Sequence, residues 1–247
     1  MKTEISVIIP FYENYKLLKR AVHSVINQSY KRFEIIIILD DPLKKNSLEL
    51  KKIVSMNSKV GLIVNKKNIG AGLSRNKGIK IAKGKYISFL DSDDYWKKQK
   101  LAKQLNFMKK KKLLATHTSY DVIDIKNNFI KKRKAKDQNY AELLRSCDIG
   151  LSTVMLSSKL LKNKSYFPNL KTKEDYVLWL NITKKGIVFK SISESLTKWT
   201  DRPHSLSKSI IQKLKDGFKV YNKFQGHNFA KSLLNLLVLS LNFLKKK

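Results

Sequence analysis

The sequence NIGAGLSRNKGIKIAKGKYISFLDSDDYW, residues 68–96, decides the fold because it contains one complete helix-to-strand step. Its pattern predicts a helix over residues 70–82 and a strand over residues 86–90. The strand is a short apolar run, which is typical of a strand buried in a parallel sheet. The polar residues DSDD follow it directly. A helix that leads into a buried strand indicates an α/β protein.

The same alternation extends back to the N-terminus. Strands are predicted at residues 5–9, 34–39 and 61–64, with helices between them at residues 17–26 and 47–56. This βαβαβαβ order predicts a doubly wound, mostly parallel sheet flanked by helices. Ligands of such sheets bind at the carboxyl ends of the strands. The residues that directly follow each strand are therefore the candidate site residues.

The pattern is less regular after residue 94. Helices are predicted at residues 97–112, 139–146 and 174–185, with Asp137 as the N-cap of the second and Gly186 ending the third. Strand-like pieces are predicted at residues 113–118, 120–125, 187–189 and 195–199, and residues 126–136 are predicted as a loop. Because no low-complexity linker interrupts the chain, residues 1–205 are predicted to form one domain.

Composition limits the class of protein. The chain has 247 residues, 42% hydrophobic and 29% charged, which excludes a disordered chain and a polytopic membrane protein. A single cysteine, Cys147, excludes an internal disulfide, and the first apolar run is too short for a signal peptide, so we expect a cytoplasmic protein. The net charge of +33 favours polyanionic partners such as nucleic acid, anionic lipid or a diphosphate. Lysine-rich composition without a selected partner explains the charge equally well.

Residues 206–247 are predicted to form a C-terminal helical extension, with helices at residues 208–225 and 229–244. The most apolar part of the second helix spans only about 20 Å, too short for a hydrocarbon layer about 30 Å thick. Its polar residues share one narrow face, and three lysines follow it. We expect this helix to lie in the interface of an anionic membrane; packing on the domain's own core or on a second copy of the chain are the alternatives.

Candidate nucleotide contacts follow the first two strands. After the first, Pro10 stiffens the strand exit, Tyr12 can stack on a nucleobase, and Glu13 lies in the same loop. After the second, Asp40 and Asp41 offer a carboxylate that can accept the imide N–H of uracil. The alternative for this pair is a simple turn, because aspartate and proline are common turn residues.

The stretch quoted first contains a candidate cation site. Asp91 and Asp93 are two residues apart on an extended segment, so with Ser92 between them they can converge on a hard divalent cation. Arg75, about one turn into its helix, can bind a ribose or diphosphate oxygen near the positive end of the helix dipole. N-capping of the next helix is the alternative for the aspartates.

A helix start supplies the last candidates, Glu174 and Asp175. Carboxylates in a first helical turn are favoured by the helix dipole, which is sufficient reason for their presence. A fixed carboxylate at the rim of a cleft is also what a general base for a hydroxyl group requires.

The motifs taken in order resemble a known family. VIIPFYEN, FEIIIILDD, NIGAGLSRNKGIKIAKGKYISFLDSDDYW, KEDYVLWL and SLS, over residues 4–207, are similar to the family 2 glycosyltransferases with a GT-A fold, of the bacterial surface-polysaccharide type. The resemblance implies an inverting transfer from a nucleotide-sugar, with a UDP-sugar favoured, to a hydroxyl of a glycan or lipid-linked acceptor. It also implies a peripheral location on the inner face of the cytoplasmic membrane.

The resemblance further implies roles for single residues. Asp93 becomes the ligand of Mg²⁺ or Mn²⁺, and Asp175 becomes the base, beside Glu174. The implied nucleotide-sugar site consists of Pro10, Tyr12, Glu13, Asp40, Arg75, Asp91 and Ser92.

The chain departs from the family pattern at two places. Pro42 and Leu43 stand where the family has Gly-Ser, which leaves open whether Asp40 or Asp41 faces the base. Thr200 stands where the family often has an arginine, with Arg202 and His204 close by. A basic nucleic-acid-binding protein, which the scarcity of arginine disfavours, and a catalytically inactive GT-A scaffold at the membrane are the competing functions.

Overall fold

The structure is a computed structural model that describes residues 2–161, 167–203 and 209–245. The strands and helices are, in chain order, β1 (Ile5–Phe11), α1 (Tyr15–Ile26), β2 (Phe33–Leu39), α2 (Leu48–Val54), β3 (Val60–Val64), α3 (Ala71–Ile81), β4 (Tyr86–Phe89), β5 (Tyr95–Trp96), α4 (Lys100–Lys110), β6 (Ala115–Ile123), β7 (Phe129–Arg133), α5 (Tyr140–Arg145), β8 (Met155–Ser157), α6 (Glu174–Thr183), β9 (Lys190–Thr200), α7 (Ile210–Lys219) and α8 (Phe229–Leu244).

The described strands form one sheet in the order β3-β2-β1-β4-β8-β6-β9-β5, with β7 paired to β6. Its first four strands are parallel, as predicted. In the second half β8 runs antiparallel to β4 and β6, while β6 and β9 run parallel. The chain leaves β1 toward β2 and β3 and returns on the other side to β4, so a crevice opens at the carboxyl ends of β1 and β4.

Side chains of β1 alternate between two buried layers. Val7 and Ile9 pack with Leu18 of α1 and with residues of α2 and α4 on one face of the sheet. Ile8 packs on the other face with Ile79 of α3 and with residues of α5 and α6. Because helices cover both faces, the parallel strands are apolar throughout rather than alternating. The doubly wound fold class predicted from the sequence is confirmed.

Pro10 lies inside β1, opposite Ile38, and is buried; the predicted exit from the strand at this residue is wrong. On the other side, β4 pairs with β1 only as far as Ile8. No strand pairs with β1 on that side at Pro10. The missing N–H of the proline therefore breaks no hydrogen bond between strands.

Two further local predictions are wrong. The predicted loop at residues 126–136 contains β7, which forms a hairpin with β6. Helix α5 is capped by Asn139 in a capping box with Glu142, not by Asp137. The Asp137 carboxylate instead accepts hydrogen bonds from Ser191 and pairs with Lys190 of β9. Its partners are distant in the sequence, so the local pattern did not reveal them.

The C-terminal helices differ from the prediction in one detail. The single helix predicted at residues 208–225 is α7 followed by a π-helical turn at Val220–Phe224, whereas α8 has the predicted bounds. Val220, Tyr221 and Leu239 join the same buried layer as α6. The predicted boundary at residue 205 and the Ser-x-Ser motif lie outside the described residues. None of the helices within the described ranges has the length and apolar character needed to cross a membrane.

Candidate active site

Arg75 of α3 joins the end of β4 to the start of α6. Its Nη2 donates to Asp91 Oδ1 at 2.6 Å, and its Nη1 donates to Glu174 Oε1 at 2.7 Å. Burial lowers the pKa of the Arg75 guanidinium, but the charges of the two carboxylates outweigh it, so the pKa is raised and the side chain stays charged. One buried cation is thus shared by two acids from distant parts of the chain.

Gly72 allows α3 to approach α6 this closely. A Cβ at this position would lie 2.9 Å from Glu174 Cγ and 3.2 Å from the carbonyl oxygen of Pro168. Gly72 therefore serves the packing of the two helix starts, whereas Gly70 has open space around it and adopts φ 85°, in the left-handed region that glycine tolerates.

Asp175 is the carboxyl group next to this bridge. Burial raises its pKa to about 7, helped by the charges of Glu174 and Asp91 and opposed by Arg75. The backbone N–H of Tyr176 donates to Asp175 Oδ1 at 2.7 Å. A carboxyl group with a pKa near neutrality can both hold and release a proton under physiological conditions, which suits a general base.

The backbone just before this pair is strained. Lys173 has φ 62°, in the left-handed region that residues other than glycine rarely adopt. Its neighbour Thr172 is fixed by Asp216 of α7, whose Oδ2 accepts hydrogen bonds from the Thr172 N–H at 3.0 Å and hydroxyl at 3.1 Å. The C-terminal helices thus help to hold the start of α6 in place.

The three aspartates after β4 have three different partners. Asp91 pairs with Arg75, as described, and Asp93 Oδ2 lies 2.6 Å from Arg202 Nε. Asp94 is buried and accepts hydrogen bonds from the Ser152 hydroxyl at 2.6 Å and the Thr200 N–H at 2.9 Å. Burial raises the pKa of Asp94 well above its usual value, helped by the charges of Asp93 and Asp91. Asp94 therefore holds the motif onto β9.

Asp91 and Asp93 remain at the crevice, on either side of the partly exposed Ser92, with side chains 31% and 20% exposed. Burial raises the pKa of Asp93, and the charge of Asp91 raises it further, against the effect of Arg202. Two carboxylates supply oxygen ligands of the kind that Mg²⁺ and Mn²⁺ prefer, but not a complete shell. Among the described residues no group of three His, Cys, Asp or Glu side chains is arranged to hold a metal. The donor set fits a cation that is bound together with a diphosphate.

Asp40 has a task that the sequence analysis did not predict. It is buried, and its Oδ1 accepts hydrogen bonds from Asn65 Nδ2 at 2.7 Å and the Ile69 N–H at 2.9 Å, while Oδ2 accepts from the Gly70 N–H at 2.8 Å. Both oxygens are thus committed to the loop that leads into α3. Its predicted contact with the nucleobase stays a prediction.

Asp41 lies at the entrance instead, beside Tyr12. Its Oδ1 caps the short helix Pro42–Lys44 by accepting from the Leu43 N–H at 3.1 Å. Lys44 Nζ lies 3.2 Å from Asp41 Oδ2, donates to the Tyr12 carbonyl oxygen at 3.0 Å, and lies 5.0 Å from the centroid of the Tyr12 ring. Tyr12 is 46% exposed, and Glu13 next to it is exposed. The Tyr12 ring is therefore about half exposed, with the Lys44 ammonium group over it.

The structure joins Asp91, Arg75 and Glu174 directly, and it adds three residues for which the sequence predicted no role. Lys44 is one of many lysines and gave no signal in the sequence. Arg20 of α1 donates to the Asp93 carbonyl oxygen at 2.5 Å, and Thr200 Oγ1 donates to the same oxygen at 2.6 Å. These two residues, which lie 73 and 107 residues from Asp93 in the sequence, hold the backbone of the DSDD motif in place.

Comparisons with known proteins identify the family of the chain. The sequence profile of Glycosyl transferase family 2 matches residues 6–181. WfaP of Escherichia coli, a UDP-Glc:alpha-D-GlcNAc-diphosphoundecaprenol beta-1,3-glucosyltransferase, is 39% identical over 186 residues, which is 74% of this chain and 71% of WfaP. Some relatives are longer, since the chain spans 33%, 36% and 32% of three uncharacterized glycosyltransferases from Rickettsia species.

Solved structures share the fold. Residues 1–349 of Staphylococcus aureus TarS in complex with UDP-GlcNAc superpose with a TM-score of 0.73 at 20% identity, over 95% of this chain and 70% of that one. The mannosyltransferase PcManGT of Pyrobaculum calidifontis, solved with GDP-Man and Mn²⁺, superposes with a TM-score of 0.68 at 13% identity, over 96% and 70%. At these identities the likeness concerns the fold. With the family profile and WfaP, it shows that this chain is a GT-A glycosyltransferase that belongs to glycosyl transferase family 2.

Proposed function

We propose that this glycosyltransferase moves a sugar from a UDP-sugar to a hydroxyl group of a lipid-linked sugar, with inversion at the anomeric carbon and with Asp175 as the base. The observation that carries the proposal is the position of Asp175, held at the first turn of α6 beside the chain of contacts from Asp91 through Arg75 to Glu174. WfaP, by its name, uses UDP-Glc and an acceptor linked to diphosphoundecaprenol.

The nucleotide end of the crevice suits uracil. Tyr12 offers a ring face for stacking, and Asp41 is the carboxylate at the entrance that can accept the imide N–H of the base. Asp40, with both oxygens bound to loop 65–70, holds this wall of the crevice in shape. Lys44 keeps Asp41 and Tyr12 together through contacts to both.

Asp93, with Asp91 beside it, would hold Mg²⁺ or Mn²⁺ together with the diphosphate of the donor. When bound, such a cation neutralises the negative charge that develops on the departing nucleoside diphosphate. Arg75 orients Asp91 toward the crevice, and Arg20 and Thr200 hold the backbone of Asp93. These three are positioning residues.

A single displacement needs one base, and the site supplies one. Glu174 is bound to Arg75, so Asp175 is the carboxylate of the pair that is left to accept a proton. The acceptor hydroxyl gives its proton to Asp175 as its oxygen bonds to the anomeric carbon. The bond from that carbon to the diphosphate oxygen breaks, and the nucleoside diphosphate leaves with the electron pair. A catalytically inactive scaffold is disfavoured, because Asp91, Asp93 and Asp175 are all present at the crevice.

The test uses UDP-glucose and a diphosphoprenol-linked GlcNAc acceptor, with product read by thin-layer chromatography and anomeric configuration read by NMR. We expect Asp175→Asn to lower kcat by at least about 100-fold while UDP binding persists. Glu194→Gln, which alters an exposed ion pair with Lys103, is the matched control and should leave kcat unchanged. EDTA should stop transfer, and Mn²⁺ should restore it. Full transfer by Asp175→Asn, or a product with retained configuration, would overturn the proposal.

A further inference from the structure

Helix α8 turns a row of leucines toward solvent. Leu233, Leu234, Leu237, Leu241 and Leu244 are between 50% and 61% exposed. Their spacing of three and four residues places them on one side of the helix. The structure describes α8 in full, and the helix buries only Ser232 and Leu239. Helix α8 thus packs on the core through Leu236 and Leu239, which was one of the alternatives left open by the sequence, and it keeps a second apolar side exposed.

Helix α7 continues this apolar surface. Ile210, Ile211 and Leu214 are also exposed. The rings of Phe218 on α7 and Phe229 on α8 lie 5.4 Å apart. Nearer the start of α7, Lys213 Nζ lies 5.3 Å from the ring centroid of Phe243 near the end of α8, so the two helices run antiparallel. The five leucines of α8 and the three residues of α7 are together called the hairpin face.

Exposed lysines border the hairpin face. Lys215, Lys219, Lys223, Lys231 and Lys245 are all exposed. Residues 209–247 contain one acidic residue, Asp216, which is buried against Thr172. The exposed charge that the C-terminal helices themselves carry is therefore positive. Two copies of the chain joined through this face would bring like charges together, which disfavours a dimer.

We propose that the hairpin face is a membrane-docking surface that seats α7 and α8 in the interface of an anionic bilayer. The leucines and isoleucines enter the boundary between headgroups and acyl chains, while the lysines contact the negative headgroups. The helices lie along the membrane, in keeping with the absence of a spanning helix in the described part of the chain.

The inner side of the same hairpin, including the π-helical turn after α7, contacts residues on either side of Glu174 and Asp175. Asp216 binds Thr172, the Tyr221 hydroxyl lies 3.0 Å from that of Tyr176, and Gly217 packs against Lys173. The segment that carries Glu174 and Asp175 is thus fixed to a hairpin whose outer face lies on the bilayer. The membrane-docking inference extends the proposed function, and the part of it that concerns catalysis rests on that function. The sugar of a lipid-linked acceptor reaches Asp175 while its lipid stays in the membrane.

The test is flotation of the full chain with vesicles of phosphatidylcholine alone or mixed with phosphatidylglycerol. We expect binding to the anionic vesicles that weakens with added salt. The double variant Leu234→Ser/Leu237→Ser should bind them at least about tenfold more weakly, since two half-exposed leucines no longer enter the bilayer. Ile125→Ser/Phe129→Ser, which alters two exposed apolar residues of the β6–β7 hairpin, is the matched control and should bind as the unaltered chain does.

Three outcomes would overturn the docking surface: no binding of the unaltered chain to anionic vesicles, equal binding of both double variants, or a stable dimer in light scattering that Leu234→Ser/Leu237→Ser dissociates. Flotation needs no turnover, so it separates this inference from the proposed function. Vesicle binding without sugar transfer would contradict the proposed lipid-linked acceptor and would still support the docking surface. With transfer, Leu234→Ser/Leu237→Ser should lose rate on vesicle-borne acceptor and keep it on a short water-soluble one.

Discussion

Replacing Asp175 by asparagine is expected to stop sugar transfer and, above neutral pH, to stabilise the fold. The two effects have one cause, because burial that suits the carboxyl group for proton transfer also makes its charged form costly. A residue with a purely structural role would show the opposite behaviour, since its replacement would destabilise the protein. The variant therefore separates a catalytic carboxylate from a structural one.

The size of the effect follows from the pKa of Asp175, which burial raises from 3.8 to about 7. The folded state binds this proton more tightly than the unfolded state does. The free energy of unfolding therefore falls as the pH rises from about 4 to about 7, and the loss is complete above about pH 8. A shift of about three pKa units corresponds to about 4 kcal/mol at most. Because the side chain keeps some contact with solvent, we expect a gain of about 2–4 kcal/mol for Asp175→Asn at pH 8.

The assay is thermal unfolding of the unaltered chain and the variant at pH 5.5 and pH 8, alongside the transfer rate. A gain of about 2–4 kcal/mol raises the Tm of a chain of this size by about 5–10 °C. The gain should be clearly larger at pH 8 than at pH 5.5, because the unaltered carboxyl group is mostly protonated at the lower pH. Equal Tm differences at both values, or a lower Tm of the variant at pH 8, would refute the reasoning.

Five other substitutions test the site and the packing of the sheet that carries it. Glu174→Gln should move the rising limb of the pH profile of kcat/KM to lower pH, because the charge of Glu174 raises the pKa of Asp175. An unchanged pH profile would contradict this. Asp40→Asn should cost about 1–3 kcal/mol in urea unfolding by breaking the bonds to loop 65–70, whereas Asp41→Asn should weaken UDP binding in titration calorimetry at unchanged stability. The reverse pattern would make Asp40 the nucleotide contact. Gly78→Ala should cost about 1–3 kcal/mol, since its Cβ would lie 2.6 Å from Ile8 Cγ2, and Gly61→Ala, with no atom nearer than 3.8 Å, should cost less than half as much in the same measurement.

Several elements were predictable because their cause is local. A run of β-branched residues such as that of β2 is apolar on both sides of the strand, so it must be covered on both faces of the sheet. Strands β1 to β4 and the helices between them are therefore predictable from their own residues. Parallel strands in this order bring their carboxyl ends to one edge, which places Asp41 and Asp91 at the same crevice. The bounds of α8 were predictable for the same reason, since Asn228 caps it and its apolar run defines its length.

The contacts within the crevice were decided by the tertiary structure. Arg75 meets Glu174 across 99 residues, Asp94 meets the Thr200 N–H across 106, and Asp40 meets the Gly70 N–H across 30. A carboxylate accepts a hydrogen bond from any donor that the fold brings within reach, so its neighbours in the chain do not reveal its partner. The periodicity of a strand or helix comes from its own backbone geometry and is visible in the sequence. The division of work among Asp40, Asp41, Asp93 and Asp94 depends on which distant groups fill the space around each, and that is settled only when the chain is folded.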